Sequence, residues 1–189
     1  MNMDSIKRAV AAFFDFLQGI VVFLAMLVMV YLFVMSPQEI NGASMEPNFH
    51  NSEYILTNKI IYKLRNPRRG EIVIFKSPMN KEIDYIKRII GEPGDTVRLE
   101  DSAFYINGKK IDEPYLASDV YIFGGSFLVE GQEEVVPPGM YFVVGDNRPH
   151  SADSREFGPI AKEDFIGMAI LRYWPFTRAG LIPVPRYDL

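Results

Sequence analysis

The 189-residue sequence predicts a mainly β domain carried on one N-terminal transmembrane helix. Three observations carry that prediction. Residues 19–35 read GIVVFLAMLVMVYLFVM, with no charge. Beyond Leu64 no long segment keeps the apolar period of a helix, whereas short β-branched and aromatic runs recur between Gly, Pro, Asn and Asp. Asn107-Gly108, set between AFYI and KKI, is a hairpin signature, because both central positions of a type I′ turn need positive φ.

The first element is the anchor. Extended back through Phe13-Phe14, with Asp15 and Gln18 its only polar residues, the apolar run reaches the roughly 20 residues that cross a bilayer. A helix satisfies its own backbone groups and is therefore the expected structure in lipid. The anchor is expected over residues 13–35, with residues 1–12 cytoplasmic. Lys7 and Arg8 precede the run and no positive charge lies in Ser36-Pro37-Gln38-Glu39 after it, so the positive-inside bias places the rest of the chain outside. A cleaved secretory signal is the alternative, but the run is long for one and no small-x-small cleavage site follows Met35. Asp15 is expected at the inner interface.

Pro37 marks the exit from the helix. Candidate strands follow at residues 53–57, 71–75, 83–90, 96–99, 103–106, 126–129, 140–144 and 166–173. Residues 36–189 are expected to form the extracytoplasmic domain, and about 150 residues suffice for one buried core. Within it, residues 101–138 form an insertion with the hairpin, an acidic and glycine-rich middle, and Pro137-Pro138-Gly139 as its exit. A β-ribbon excursion and an ordinary surface insertion both fit that stretch.

Composition excludes several functions. The net charge of −4 gives no basic footprint for nucleic acid. With no cysteine there is no disulfide, thiol catalysis or cysteine-bound zinc. The two histidines, His50 and His150, make a histidine-built metal site unexpected, and no cofactor is expected.

Three clusters hold groups suited to chemistry. Ser44 lies in Gly42-Ala43-Ser44-Met45-Glu46-Pro47, where Gly42 allows close backbone approach or positive φ and Pro47 stiffens the chain. It lies nine residues beyond Met35, so even an extended chain holds it within roughly 30 Å of the membrane surface. A plain turn residue is the other reading. Lys87 lies in the apolar strand Ile83-Asp84-Tyr85-Ile86-Lys87-Arg88-Ile89-Ile90. Alternation puts it with Ile83, Tyr85 and Ile89, and puts Arg88 with Asp84, Ile86 and Ile90. Periodicity does not choose between the two cations. Chemistry does, since a buried lysine sheds its proton and arginine does not. An interfacial lysine snorkelling to water is the alternative. The third cluster, Gly145 to Gly158, offers Ser151, Asp153, Ser154 and Arg155, and reads either as a solvated turn or as a loop that orients a base. His150 beside Asp146 and Asp153 leaves a Ser-His-Asp triad open.

In this order the clusters resemble the bacterial type I signal peptidases, in the short form with one N-terminal anchor. Four blocks carry the likeness: GASMEPNF around Ser44, RRGEIVIFKSP at 68–78, YIKRIIGEPGDTV at 85–97 and GDNRPHSADSREFGPI at 145–160. The resemblance implies a signal-peptidase-like β core with a β-ribbon insertion. It implies Ser44 as nucleophile, Lys87 as general base, Ser151 as the serine that orients the lysine, and Asp153–Arg155 as a structural ion pair. The Ser44 backbone N–H would be one oxyanion donor. Ile40, Met45, Phe49, Tyr85 and Ile86 would line pockets for small substrate side chains.

This chain departs from the family pattern at three places. Gly42 stands where some members have a serine that completes the oxyanion hole, so the Gly42 backbone, a water or another group must be the second donor. Asn48 replaces the usual threonine, and Pro149-His150 replaces a commoner Asp-Asn. The implied partners are secretory preproteins and the lipid bilayer, at the plasma membrane. Two rivals stay open: a self-processing Ser-Lys protein resembling the self-cleaving SOS-response repressors, and a tethered binding domain with no active dyad.

Overall fold

The computed structural model describes residues 3–117 and 120–188. Residues 1–2 of the expected cytoplasmic stretch, residues 118–119 of the insertion and residue 189 lie outside the described residues. Helix α1 (Met3–Phe33) is 31 residues long, about 46 Å. Its apolar stretch from Ile6 is long enough to cross a membrane, and the most apolar part buries none of itself against the rest of the protein. It is therefore no core helix of the β domain. It starts well before residue 13 and stops at Phe33, two residues short of the expected end. Strand β1 (Met35–Glu39) follows at once, so Pro37 lies inside a strand instead of closing the helix. Proline is tolerated there because β1 is an edge strand, with Pro37 opposite Leu56.

The chain continues through β2 (Tyr54–Asn58), α2 (Ile61–Leu64), β3 (Ile72–Lys76), β4 (Asp84–Gly91), β5 (Thr96–Glu100), β6 (Ala103–Ile106), β7 (Lys109–Lys110), β8 (Glu133–Val135), β9 (Met140–Val144), α3 (Ser154–Phe157), β10 (Ile160–Ala161), β11 (Phe165–Trp174) and β12 (Gly180–Leu181). Most expected strands stand within a residue or so of their predicted places. The strand expected at 126–129 is absent. There the N–H groups of Phe127 and Leu128 both donate to the Arg155 carbonyl, at 2.9 and 3.0 Å, so the segment wraps α3 as a loop.

Among the described residues the larger sheet runs β1-β2-β11-β3-β4-β9-β10, with β12 on β11, and the smaller runs β7-β6-β5-β8. Every pairing is antiparallel. The insertion is more than a surface loop. Its hairpin turns on Asn107 (φ 51°) and Gly108 (φ 77°), and it pairs with β5 to make a sheet. That sheet packs Val97, Leu99, Phe104 and Ile106 against Ile90, Phe142 and Val144 of the larger one.

Strand β4 positions the site. Its Ile89 packs with Val73, Phe75 and Val143 on one face, while Ile90 joins the second-sheet core on the other. Both faces are covered, so Lys87 and Arg88, on opposite faces, are each only 3% exposed.

Candidate active site

Ser44 sits on the loop that joins β1 to β2. The loop is closed at its base by Ile40 N–H to Glu53 O and Ser52 N–H to Ile40 O, both 2.8 Å. Gly42, at φ +103°, takes a backbone shape that side chains disfavour and leaves open space at its Cα. Met45 and Phe49 pin the loop from below by joining Ile55, Ile72, Ile74 and Ala169 in the core.

The third cluster holds the same loop from above. Asn147 donates its backbone N–H to Ser44 O at 3.0 Å and its side-chain amide to Ala43 O at 2.9 Å. Asp146 receives Arg88 Nε at 2.9 Å and Nη2 at 2.7 Å. It also receives the Asn48 amide at 2.8 Å, so one carboxylate ties all three sequence clusters together. The amide at position 48 further reaches Tyr115 O, 2.9 Å away, a span that the shorter threonine would not cover.

Lys87 Nζ lies 2.8 Å from Ser44 Oγ and donates to Ile86 O at 3.0 Å. Among the described residues four cations are buried: Lys87, Arg88, Arg148 and Arg155. The three arginines pair with Asp146, Glu113 and Asp153 at 2.7, 2.6 and 2.8 Å. Lys87 alone has no carboxylate in contact. Burial lowers its pKa to about 8, against the opposing pull of the more distant Asp153 and Asp146. The ammonium donates to Ser44 Oγ; once neutral, the same nitrogen accepts the hydroxyl proton across the same distance.

Asp153 caps α3 and accepts the Arg155 N–H, and it takes Arg155 Nε and Nη2, both at 2.8 Å. It also accepts the Gly145 N–H at 3.0 Å, which fixes the start of the loop over Ser44. Ser151 differs from expectation. Its Oγ is buried and bonds none of the described residues, Lys87 included, because Lys87 Nζ is aimed at Ser44 Oγ and Ile86 O instead. The hydroxyl is wedged at Gly145, where a Cβ would lie 2.1 Å from Ser151 Oγ and 2.5 Å from Ser44 O.

A groove of about 650 Å³ opens beside the pair, lined by Ile40, Tyr85, Ile86 and the dyad itself. Met45 and Phe49, expected as lining, face the core instead: the loop needs apolar anchors, and Phe49 borders a separate cavity on the other side. Sequence reasoning missed Ile55 and Ile74, which line the groove in their place; β3 is apolar at four successive positions, so alternation gave no signal for Ile74. It also missed Asn147 and the linking role of Asp146. No Ser-His-Asp triad forms. His150 is exposed at the groove edge with Nδ1 3.2 Å from Asn147 Oδ1, and Asp146 and Asp153 are committed to arginines. The Gly42 N–H donates to Asn51 Oδ1 at 2.8 Å, which removes it as a free second oxyanion donor.

A family model described as "Signal peptidase, peptidase S26" matches residues 13–174. The chain belongs to this family. Peptidase S26 proteins are membrane-associated serine proteases whose known activity is removal of signal peptides. Among them, signal peptidase IB of Staphylococcus aureus strain Mu50 is 38% identical over 175 residues, covering 86% of this chain and 90% of its own. Signal peptidase I of Bacillus amyloliquefaciens is 36% identical over 176 residues, covering 91% of each. A crystal structure of a signal peptidase I from Enterococcus faecalis V583 aligns with TM-score 0.45 and 34% identity, covering 55% of this chain and 97% of that one.

Proposed function

We propose that this peptidase S26 chain removes N-terminal signal peptides from secretory preproteins, with Ser44 as nucleophile and Lys87 as general base. The observation that carries the reading is the 2.8 Å contact between Ser44 Oγ and a buried lysine that has no carboxylate partner among the described residues. Neutral Lys87 takes the Ser44 proton as Oγ attacks the scissile carbonyl. The tetrahedral oxyanion is met by the Ser44 N–H, which no described residue engages. The lysine ammonium then protonates the leaving amine, and Lys87 activates the water that frees the acyl-enzyme. Asp153 and Arg155 hold the loop above the site.

Residues 13–33 of α1 serve as the anchor, with Lys7 and Arg8 on the cytoplasmic side and the β domain from Met35 onward outside the plasma membrane. The groove lined by Ile40, Tyr85, Ile86, Ile55 and Ile74 suits small apolar side chains before the cut. Enzyme and substrate held in one bilayer meet at high effective concentration, so modest local affinity suffices.

The test is a fluorogenic peptide with alanines at the first and third positions before the scissile bond. Wild type should cleave it, and Ser44→Ala, Lys87→Ala and Lys87→Arg should not, while all remain folded by circular dichroism. Near-normal turnover by either lysine variant would overturn the assigned base.

A further inference from the structure

Helix α1 has no basic residue in its last turn, and a helix end leaves carbonyls without intrahelical partners. One of those carbonyls, and that of the residue just past the helix, are met from the β domain. Lys59 Nζ donates to Leu32 O at 2.8 Å, and the Lys59 N–H donates to Val34 O at 2.8 Å. A cation there also complements the helix dipole. Lys59 directly follows β2, whose Asn58 pairs with Met35. The helix therefore runs through Val34 into β1 with no slack between them.

We infer that Lys59 is a positioning residue that bolts α1 to the catalytic sheet and thereby sets how far from the bilayer a substrate is cut. The inference rests on the peptidase reading above. Because neighbouring strands alternate in direction, the Met35 end of β1 and the β3–β4 turn emerge at the same end of the sheet. That turn carries Met79 and Ile83, 75% and 49% exposed, as suits a surface near lipid. The groove extends from the dyad to Glu82 and Ile83 of the same turn. Strand β4 covers about 13 Å between Ile83 and Lys87. A substrate leaving the membrane at that turn thus needs about four extended residues to bring its scissile bond to Ser44. A slack tether would let the dyad reach bonds over a range of heights, whereas a bolted one selects a narrow spacing.

The experiment uses the full chain reconstituted in phospholipid vesicles and two kinds of substrate. One is the water-soluble alanine peptide. The other is a series of membrane-inserted preproteins in which the spacer between apolar segment and cleavage site grows one residue at a time. Wild type should show a sharp optimum in spacer length. Lys59→Met should broaden that optimum and lower the rate at the best spacer about tenfold, with soluble-peptide turnover unchanged, and Lys59→Arg should restore both. A Gly-Ser-Gly-Ser insertion between Val34 and Met35 should move the optimum to a different spacer length. An unaltered spacing profile in both Lys59→Met and the insertion variant, with soluble-peptide cleavage intact, overturns the inference alone. Failure of wild type to cut either substrate overturns the peptidase reading, and the inference with it.

Discussion

Replacing Lys87 by methionine should destroy activity and make the protein more stable at neutral pH. Burial holds the folded-state pKa near 8 against 10.5 for a solvated lysine. At pH 7 the protonated amine is therefore carried at a cost of about 3 kcal/mol. Below pH 8 both folded and unfolded states are protonated and the whole cost is present. Between pH 8 and 10.5 the folded state gives up its proton first, the unfolded state binds more, and the cost fades as pH rises. Methionine fills similar volume without charge, but forfeits the bonds to Ser44 Oγ and Ile86 O, together worth about 2 kcal/mol. The net gain at pH 7 is about 1 kcal/mol, or roughly 2–4 °C in Tm for a domain of this size. Thermal unfolding in detergent, followed by near-UV circular dichroism at pH 7 and again near pH 10.5, measures it. The advantage of Lys87→Met should vanish or reverse at the higher pH. A variant less stable than wild type at pH 7, by an amount independent of pH, would refute the account of a strained, poorly solvated base.

Three further outcomes follow from the same geometry. Soluble-peptide kcat/KM should climb with pH to half its plateau near pH 8, as Lys87 loses its proton; a profile that falls across pH 6 to 9 would contradict the assignment. Gly145→Ala would drive a methyl group to 2.1 Å from Ser151 Oγ and 2.5 Å from Ser44 O, and should cost about 1–3 kcal/mol in urea unfolding along with most of the activity. Asp146→Ala should cost about 3–5 kcal/mol, because it strands the buried Arg88, whereas Asp164→Ala, which opens the exposed Lys81–Asp164 pair, should change the unfolding free energy in urea by less than about 1 kcal/mol.

The amino-acid pattern made the helix, the main strands and the Ser44–Lys87 pairing legible, for identifiable reasons. The Asn107-Gly108 turn was readable because its backbone demand is met by few residue types. Lys87 was separable from Arg88 only through chemistry, because a strand covered on both faces loses its alternation and Arg88 is equally hidden. Strand β8 was not readable: Glu133-Glu134-Val135 is at a sheet edge, exposed or half-buried throughout, and makes no apolar pattern. The expected strand at 126–129 failed for the opposite reason, since its apolar residues serve a loop packed on α3. Ser151 and Phe49 show a similar limit. Motif position located them beside the nucleophile, but which neighbour each side chain meets depends on loop geometry formed by residues a hundred positions away.

Among the described residues three buried arginines each pair with a carboxylate, and one buried amine, that of Lys87, has none in contact. Ordinary lysines on the outside remain fully protonated at neutral pH and react sluggishly with acylating reagents. Near pH 8 Lys87 is neutral for a sizeable fraction of the time, and its lone pair then faces the Ser44 hydroxyl at the wall of an open groove. Small carbamoylating or acylating electrophiles that enter the groove should consequently label Ser44 faster as pH rises through 8, which reads out the neutral amine with no substrate needed.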